Sequence, residues 1–158
     1  MPKLSFDRVH TVELMAPATD AAGRTSDWIS MKNVVSALVT VHITQGNAAT
    51  ILLSLLQATA VAGTGSKAGP TVPIKSNLDT AASDALVRRT DAATYTTDAG
   101  VKNKIVQFQI DPSQMDVEGG FDCIAISTGA SNVANITQAS IMLEMRYGGE
   151  SPPSVIVD

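Results

Sequence analysis

An all-β domain, laid out as a sandwich or barrel of strands, is the fold class that this sequence predicts. Apolar and polar residues alternate at period two along much of the chain. Turn residues separate these runs at short intervals. Ala, Thr, Ser, Val and Ile fill a composition in which charged residues make up only 16%. Period-two alternation marks a half-buried strand, and short strands punctuated by Gly, Pro, Asn and Asp suit an all-β layout better than alternating βα units. The 158 residues are the length of one domain, long enough to bury roughly 70% of the surface that the unfolded chain exposes.

The elements follow in order. Residues 1–24 contain "APATDAAGR" and read as a loop-rich, extended arm with one weak strand, "HTVELM". "WISMKN" is a second weak strand. In "SALVTVHIT", Ala37, Val39, Val41 and Ile43 share one face, while Leu38, Thr40, His42 and Thr44 share the other. Gly46-Asn47 then makes a turn. In "ATILLSLLQAT", Ile51, Leu53 and Leu55 lie on one face and Leu52 and Leu56 flank Ser54 on the other. Both faces are apolar, so this strand is expected to be covered on both sides. Leu is also a good helix former, but the short length and adjoining turn signals favour a strand. "TVPIK", "ATYTT" and "DCIAIS" are further short strands, and "TAASDALVRR" is either a short helix or an irregular strand. "KIVQFQID" and "ITQASIMLEMRY" alternate cleanly. Between them, "DPSQM" sets Asp111 as an N-cap, Pro112 at the first helical position and Gln114 three residues after the cap, a capping box on one short turn that Gly119-Gly120 stops. The tail, 150–158, carries a Pro-Pro pair that cannot enter a sheet interior and ends on apolar Val155, Ile156 and Val157. It either docks on a neighbouring chain or is mobile.

The chemistry-bearing residues form no constellation. The stretch "ATAVAGTGSKAGPTVP" at 58–73 has the glycines, lysine and serine of a phosphate-cradling loop. A P-loop, however, needs G-x-x-x-x-G-K-[ST] followed by a helix whose N-terminus meets the anion. Here Lys67 follows Ser66, and Pro70 and Pro73 suppress a helix, so the stretch reads as a hairpin-like loop. His10 and His42 have no partner at metal-like spacing. Asp111, Asp116, Glu118 and Asp122 are clustered, but their spacing is wrong for a calcium loop. There is no G-x-S-x-G elbow. Cys123, the single cysteine, cannot form an internal disulfide and reads as a buried thiol in a reducing compartment. The formal net charge is −4, and Arg88-Arg89 is the one adjacent basic pair, so no basic patch suits a nucleic-acid backbone. No run reaches the roughly 18 apolar residues of a membrane span, and the N-terminus does not read as a secretory leader. No catalytic, cofactor-binding or metal-binding residue is assigned, and neither enzymatic activity nor a cofactor is expected. The low charge suits a surface that lies against other proteins.

Three stretches taken together resemble small structural proteins of tailed bacteriophages: "SDWISMKNVVSALVTVHITQGNAATILLSLLQATAVAGTGSKA", then "FQIDPSQMDVEGGFDCIAIST", then "ASIMLEMRYGG". The matching residues are Trp28, Gly46, Thr50, Gln57, Ala58, Gly63, Gly65, Lys67, Asp111, Asp116, Val117, Gly120, Phe121 and Asp122, within a span from 26 to 149. The resemblance is to head-decoration (cement) proteins. It implies an antiparallel, jelly-roll-like β-sandwich over 25–149 that binds the major capsid protein on the outer surface of the head. It also implies self-association, as a homotrimer, and a virion protein made in the bacterial host cytoplasm. Leu4 and Phe6 of the arm, Trp28, Leu52, Leu56, and Val155, Ile156 and Val157 of the tail are the expected contact residues. On that reading, loss of 1–24 or of 151–158 weakens shell binding while the core still folds. A tail-tube or head–tail connector protein, a carbohydrate- or receptor-binding module, and a small hydrolase are the alternatives.

Overall fold

The computed structural model describes residues 7–149 and 153–157. Strands follow one another in the order β1 (Val9–Thr19), β2 (Arg24–Thr25), β3 (Ile29–Ser30), β4 (Val34–Gln45), β5 (Leu52–Ala58), β6 (Lys67–Ala68), β7 (Val72–Asn77), β8 (Val87–Ala92), β9 (Thr94–Thr96), β10 (Asn103–Ile110), β11 (Cys123–Thr128) and β12 (Asn135–Met145), with one 3-10 turn at Pro112–Gln114. The first sheet runs β1-β12-β4-β10-β7-β8, and the second runs β2-β11-β5-β6, with β3 also paired to β11 and β9 to β5. The strand pairings are antiparallel. The chain crosses between sheets so that β1, β4, β10 and β12 lie in one and β2, β5, β9 and β11 in the other. That is the interleaving of a jelly roll; the hairpin β7–β8 widens the first sheet beyond β10.

The period-two pattern explains the core. On β4 the inward residues Val39, Val41 and Ile43 register with Ile141, Ala139 and Thr137 of β12 and with Phe108, Val106 and Lys104 of β10. Leu53, Leu55, Ile124 and Ile126 of the second sheet meet them across the sandwich, all buried. Polar networks close the sandwich ends, where the turning chain's buried polar groups mostly find partners. Lys104 is only 1% exposed; its ammonium pairs with the Asp98 carboxylate and donates to Gln45 Oε1 at 2.8 Å. Asp20, also buried, accepts from Thr128 Oγ1 at 2.9 Å and Thr137 Oγ1 at 2.8 Å and pairs with Arg24 at 3.4 Å.

Several expectations change. The arm of 1–24 is in part a sheet member: Val9–Thr19 pairs with β12 along its length, and Asp20 and Arg24 fasten the turn that follows. "WISMKN" yields only Ile29–Ser30. "TAASDALVRR" contains no helix; it turns and then forms β8. The strand β5 is not covered on both sides, since Leu52 is 43% exposed and Leu56 half-buried. The capping box forms as expected: Asp111 Oδ1 accepts from Ser113 N at 2.9 Å, and Asp111 N donates to Gln114 Oε1 at 3.1 Å.

Candidate interaction surfaces

The glycine-rich stretch turns out to be held by the protein itself. Thr59 N donates to Thr64 O at 3.0 Å and Gly63 N to Ala60 O at 2.9 Å, closing the loop after β5. Gly63 has φ 76°, and a Cβ there would lie 2.6 Å from the Trp28 indole Nε1. The loop therefore folds down onto Trp28. Lys67 enters the strand β6 rather than a helix. Its ammonium pairs with Asp116 and sits 4.0 Å from the centroid of the Phe121 ring, a cation–π geometry. That ion pair is the main reason the Asp116 carboxyl lies below its ordinary pKa.

Three of the clustered acids, Asp111, Asp116 and Asp122, have partners in the same way. Asp116 Oδ1 accepts from Gly119 N at 2.9 Å, and Asp116 N donates to Gln57 Oε1 at 3.0 Å. Asp111 is lowered chiefly by the hydrogen bond from the Ser113 backbone. Asp122 lies 3.6 Å from Lys32. Among the described residues no three His, Cys, Asp or Glu side chains converge as metal ligands. A cleft of about 380 Å³ opens here, lined among others by Met31, Lys32, Met115, Phe121, Asp122 and Arg146. Thus residues scattered over the sequence stretches that carry the phage resemblance meet in two groups, Trp28 with Gly63, and Gln57, Lys67, Asp116 and Phe121 together. Cys123 is buried beside them.

The two histidines do not meet. His10 registers with inward-facing Leu143, whereas His42 is exposed on the outer face of β4, between Ile105 and Gln138. His42 borders a shallow hollow of about 280 Å³ that also includes Pro17, Thr44 and Ile136.

The expected contact residues are dispersed. Leu4 and Phe6 lie outside the described residues. Trp28 is half-buried under the loop. Leu52 and Leu56 stand on the outer face of the second sheet. Val155 is only 5% exposed and Val155 O accepts from Ser30 N at 2.7 Å. Val155 thus docks on its own chain beside β3. Ile156 and Val157 remain exposed.

A surface that sequence reasoning passed over is the outer face of the first sheet. Its rows read Thr11–Met142–Leu38–Gln109 and Gln138–His42–Ile105 across β1, β12, β4 and β10. Among the outward side chains of β4, β10 and β12, only Glu144 carries a formal charge. Met142 is 42% and Ile136 41% exposed. The signal was present in the "polar" half of each alternating run, which is made of Thr, Ser, Gln and His instead of Lys and Glu.

Among the described residues no helix is long and apolar enough to cross a membrane. No family model matches the sequence, and no curated protein matches it. Among solved structures the chain is similar to the SPBc2 prophage-derived protein YomS, at 7% identity over 90% of this chain and 99% of that one, with a TM-score of 0.49. It is also similar to the cowpea mosaic virus top component, at 8% identity over 97% and 96% of the two chains and a TM-score of 0.40. A carbohydrate-binding module of Cel9A from Ruminococcus flavefaciens FD-1 is similar at 10% identity over 87% and 98%, with a TM-score of 0.35. At such identities and scores these likenesses extend no function to this chain, which the sheets themselves define as an antiparallel β-sandwich.

Proposed function

We propose that this protein is a structural component of a tailed-phage virion, a decoration (cement) protein that lies on the outside of the head and bridges joints between subunits of the major capsid protein. The observation that carries the reading is the nearly charge-free centre of the first sheet's outer face, over β12, β4 and β10. Such a face desolvates without stripping ions of their water, so burying it against another protein costs little. The resemblance in sequence supplies the setting, and the self-bonded glycine loop and acids fit a part whose residues serve shape instead of turnover. A protein that binds only the assembled shell stabilises it by mass action, by about 2.7 kcal/mol when present at a hundred times its Kd.

The test is co-sedimentation with purified expanded heads. Wild-type protein is expected to pellet with heads and to raise their melting temperature. Ile136→Lys with Met142→Lys is expected to weaken binding at least about tenfold while leaving the protein's own stability within about 0.5 kcal/mol, since both side chains are on the surface. Binding by the double variant equal to wild type removes this face from the contact. No binding to heads, together with binding to purified tails or head–tail connectors, favours a tail-tube or connector role instead.

A further inference from the structure

Among the described residues the first sheet ends in two strands with no strand paired to their outer side, β1 and β8. Such strands offer unpaired N–H and C=O groups, which proteins either blunt or use. Half of β1 is blunted: Leu14 O accepts from Asp27 N at 3.1 Å, and the Arg24 guanidinium donates to Ala16 O and Ala18 O at 2.8 and 3.0 Å. Among the described residues no hydrogen bond reaches the outer side of the first half, 9–13. At the far edge, β8 is largely exposed, with Val87 51% accessible.

These two edges carry opposite charge on one row. Glu13 registers with Ser140, Ser140 with Thr40, Thr40 with Gln107, Gln107 with Lys75 and Lys75 with Arg88. A single line of outward side chains thus crosses the whole sheet, from a carboxylate at one end to an ammonium and a guanidinium at the other. Glu13 is exposed and forms no ion pair among the described residues. Arg88 pairs with the exposed Asp91 at 2.5 Å and donates to Ile74 O and Arg89 O at 3.3 and 3.2 Å, and the neighbouring Arg89 bonds neutral Ser76 Oγ at 2.7 Å. Six antiparallel strands also leave β1 and β8 running in opposite directions, so a second copy displaced along the row presents β1 antiparallel to β8.

We propose that the protein self-associates head to tail, the open half of β1 in one copy adding to β8 of the next, with Glu13 beside Arg88. The contact is heterologous, so it closes into a ring or runs on as a filament according to the rotation per step. It deepens the assembly reading by naming one partner, a second copy, and the surface it uses.

Sedimentation velocity over a concentration series tests it, with circular dichroism and thermal melting as folding controls. Wild-type mass is expected to rise with concentration, and less so at high salt. Arg88→Glu alone and Glu13→Arg alone each place like charges together and are expected to weaken association at least about tenfold. The double variant Glu13→Arg/Arg88→Glu is expected to restore it. An equimolar mixture of the two single variants is expected to associate where neither does alone, because each edge then meets its opposite. Should a reversal unfold the chain, Glu13→Gln and Arg88→Gln replace it, with weakening expected from each. Wild-type protein that stays monomeric throughout, a folded double variant that fails to associate, or an Arg88 effect without a Glu13 effect overturns the proposal. Head binding is measured separately, so loss of this contact leaves the decoration reading standing, and loss of head binding leaves this contact standing.

Discussion

Gly63 shows how one residue can be fixed twice. Its φ of 76° costs a side-chain-bearing residue about 1–2 kcal/mol, and the Trp28 indole occupies the place of a Cβ. Gly63→Ala is therefore expected to destabilise the fold by about 2 kcal/mol or more. Urea denaturation checks the energy, and the emission of Trp28, the sole tryptophan, reports whether the loop has lifted from it. By contrast Gly65, with φ 63°, meets nothing closer than 4.0 Å. Gly65→Ala keeps only the conformational part of the cost. The glycine spacing that suggested a phosphate cradle serves packing at one position and turn geometry at the other.

At the scale of the element, the two chain ends differ from the flexible appendages that their composition suggests. Residues 9–19 pair with β12 and so form part of the sandwich. Removing 1–24 would expose the edge of β12 and leave Thr128 and Thr137 without Asp20, and the shortened chain is not a test of shell contacts. The tail is a smaller fastening. Burial of one valine side chain contributes roughly 1.5–3 kcal/mol, and Ser30 N has its acceptor in Val155 O. Removal of 153–158 is expected to lower stability by about 1–3 kcal/mol with the sandwich still formed, as read from the denaturation midpoint and an unchanged far-ultraviolet spectrum. An unchanged midpoint would mean that Val155 leaves its seat readily and could serve a neighbour after all.

For the whole molecule, the carboxylates set the response to acid. Asp79, Asp98, Asp111 and Asp116 all lie below their ordinary pKa, the first two mainly through hydrogen bonds from Lys102 and Lys104. Each binds a proton less readily folded than unfolded. Their stabilisation is complete above the unfolded carboxyl range, near about 4, and is lost as pH falls through that range towards the folded values. The melting temperature is expected to hold from pH 7 to 5 and to drop below about 4. Asp98 matters most, because its partner Lys104 is an ammonium almost wholly out of water. Asp98→Asn is expected to lower stability at pH 7 and to flatten the acid limb, since the variant has one fewer carboxylate to protonate. An acid limb as steep as the wild type's would show that Lys104 draws its compensation from Gln45 and the Asp98 carbonyl.

The sequence by itself determined the strands, because side-chain direction along a strand is a local property with a period of two residues. It also determined the capped turn at Asp111, whose partners lie within three residues. It placed the hairpin loop at 58–73, because proline after Lys67 rules out a helix locally. Only the tertiary structure decided that the buried Lys104 ammonium meets Asp98 and Gln45, that Leu52 faces solvent, and that Asp20 meets Thr128 and Thr137. It alone set Glu13 and Arg88 at opposite ends of one row. Those facts depend on which strands become neighbours and in what register, and pairing between residues distant in sequence leaves no mark on the local pattern of either.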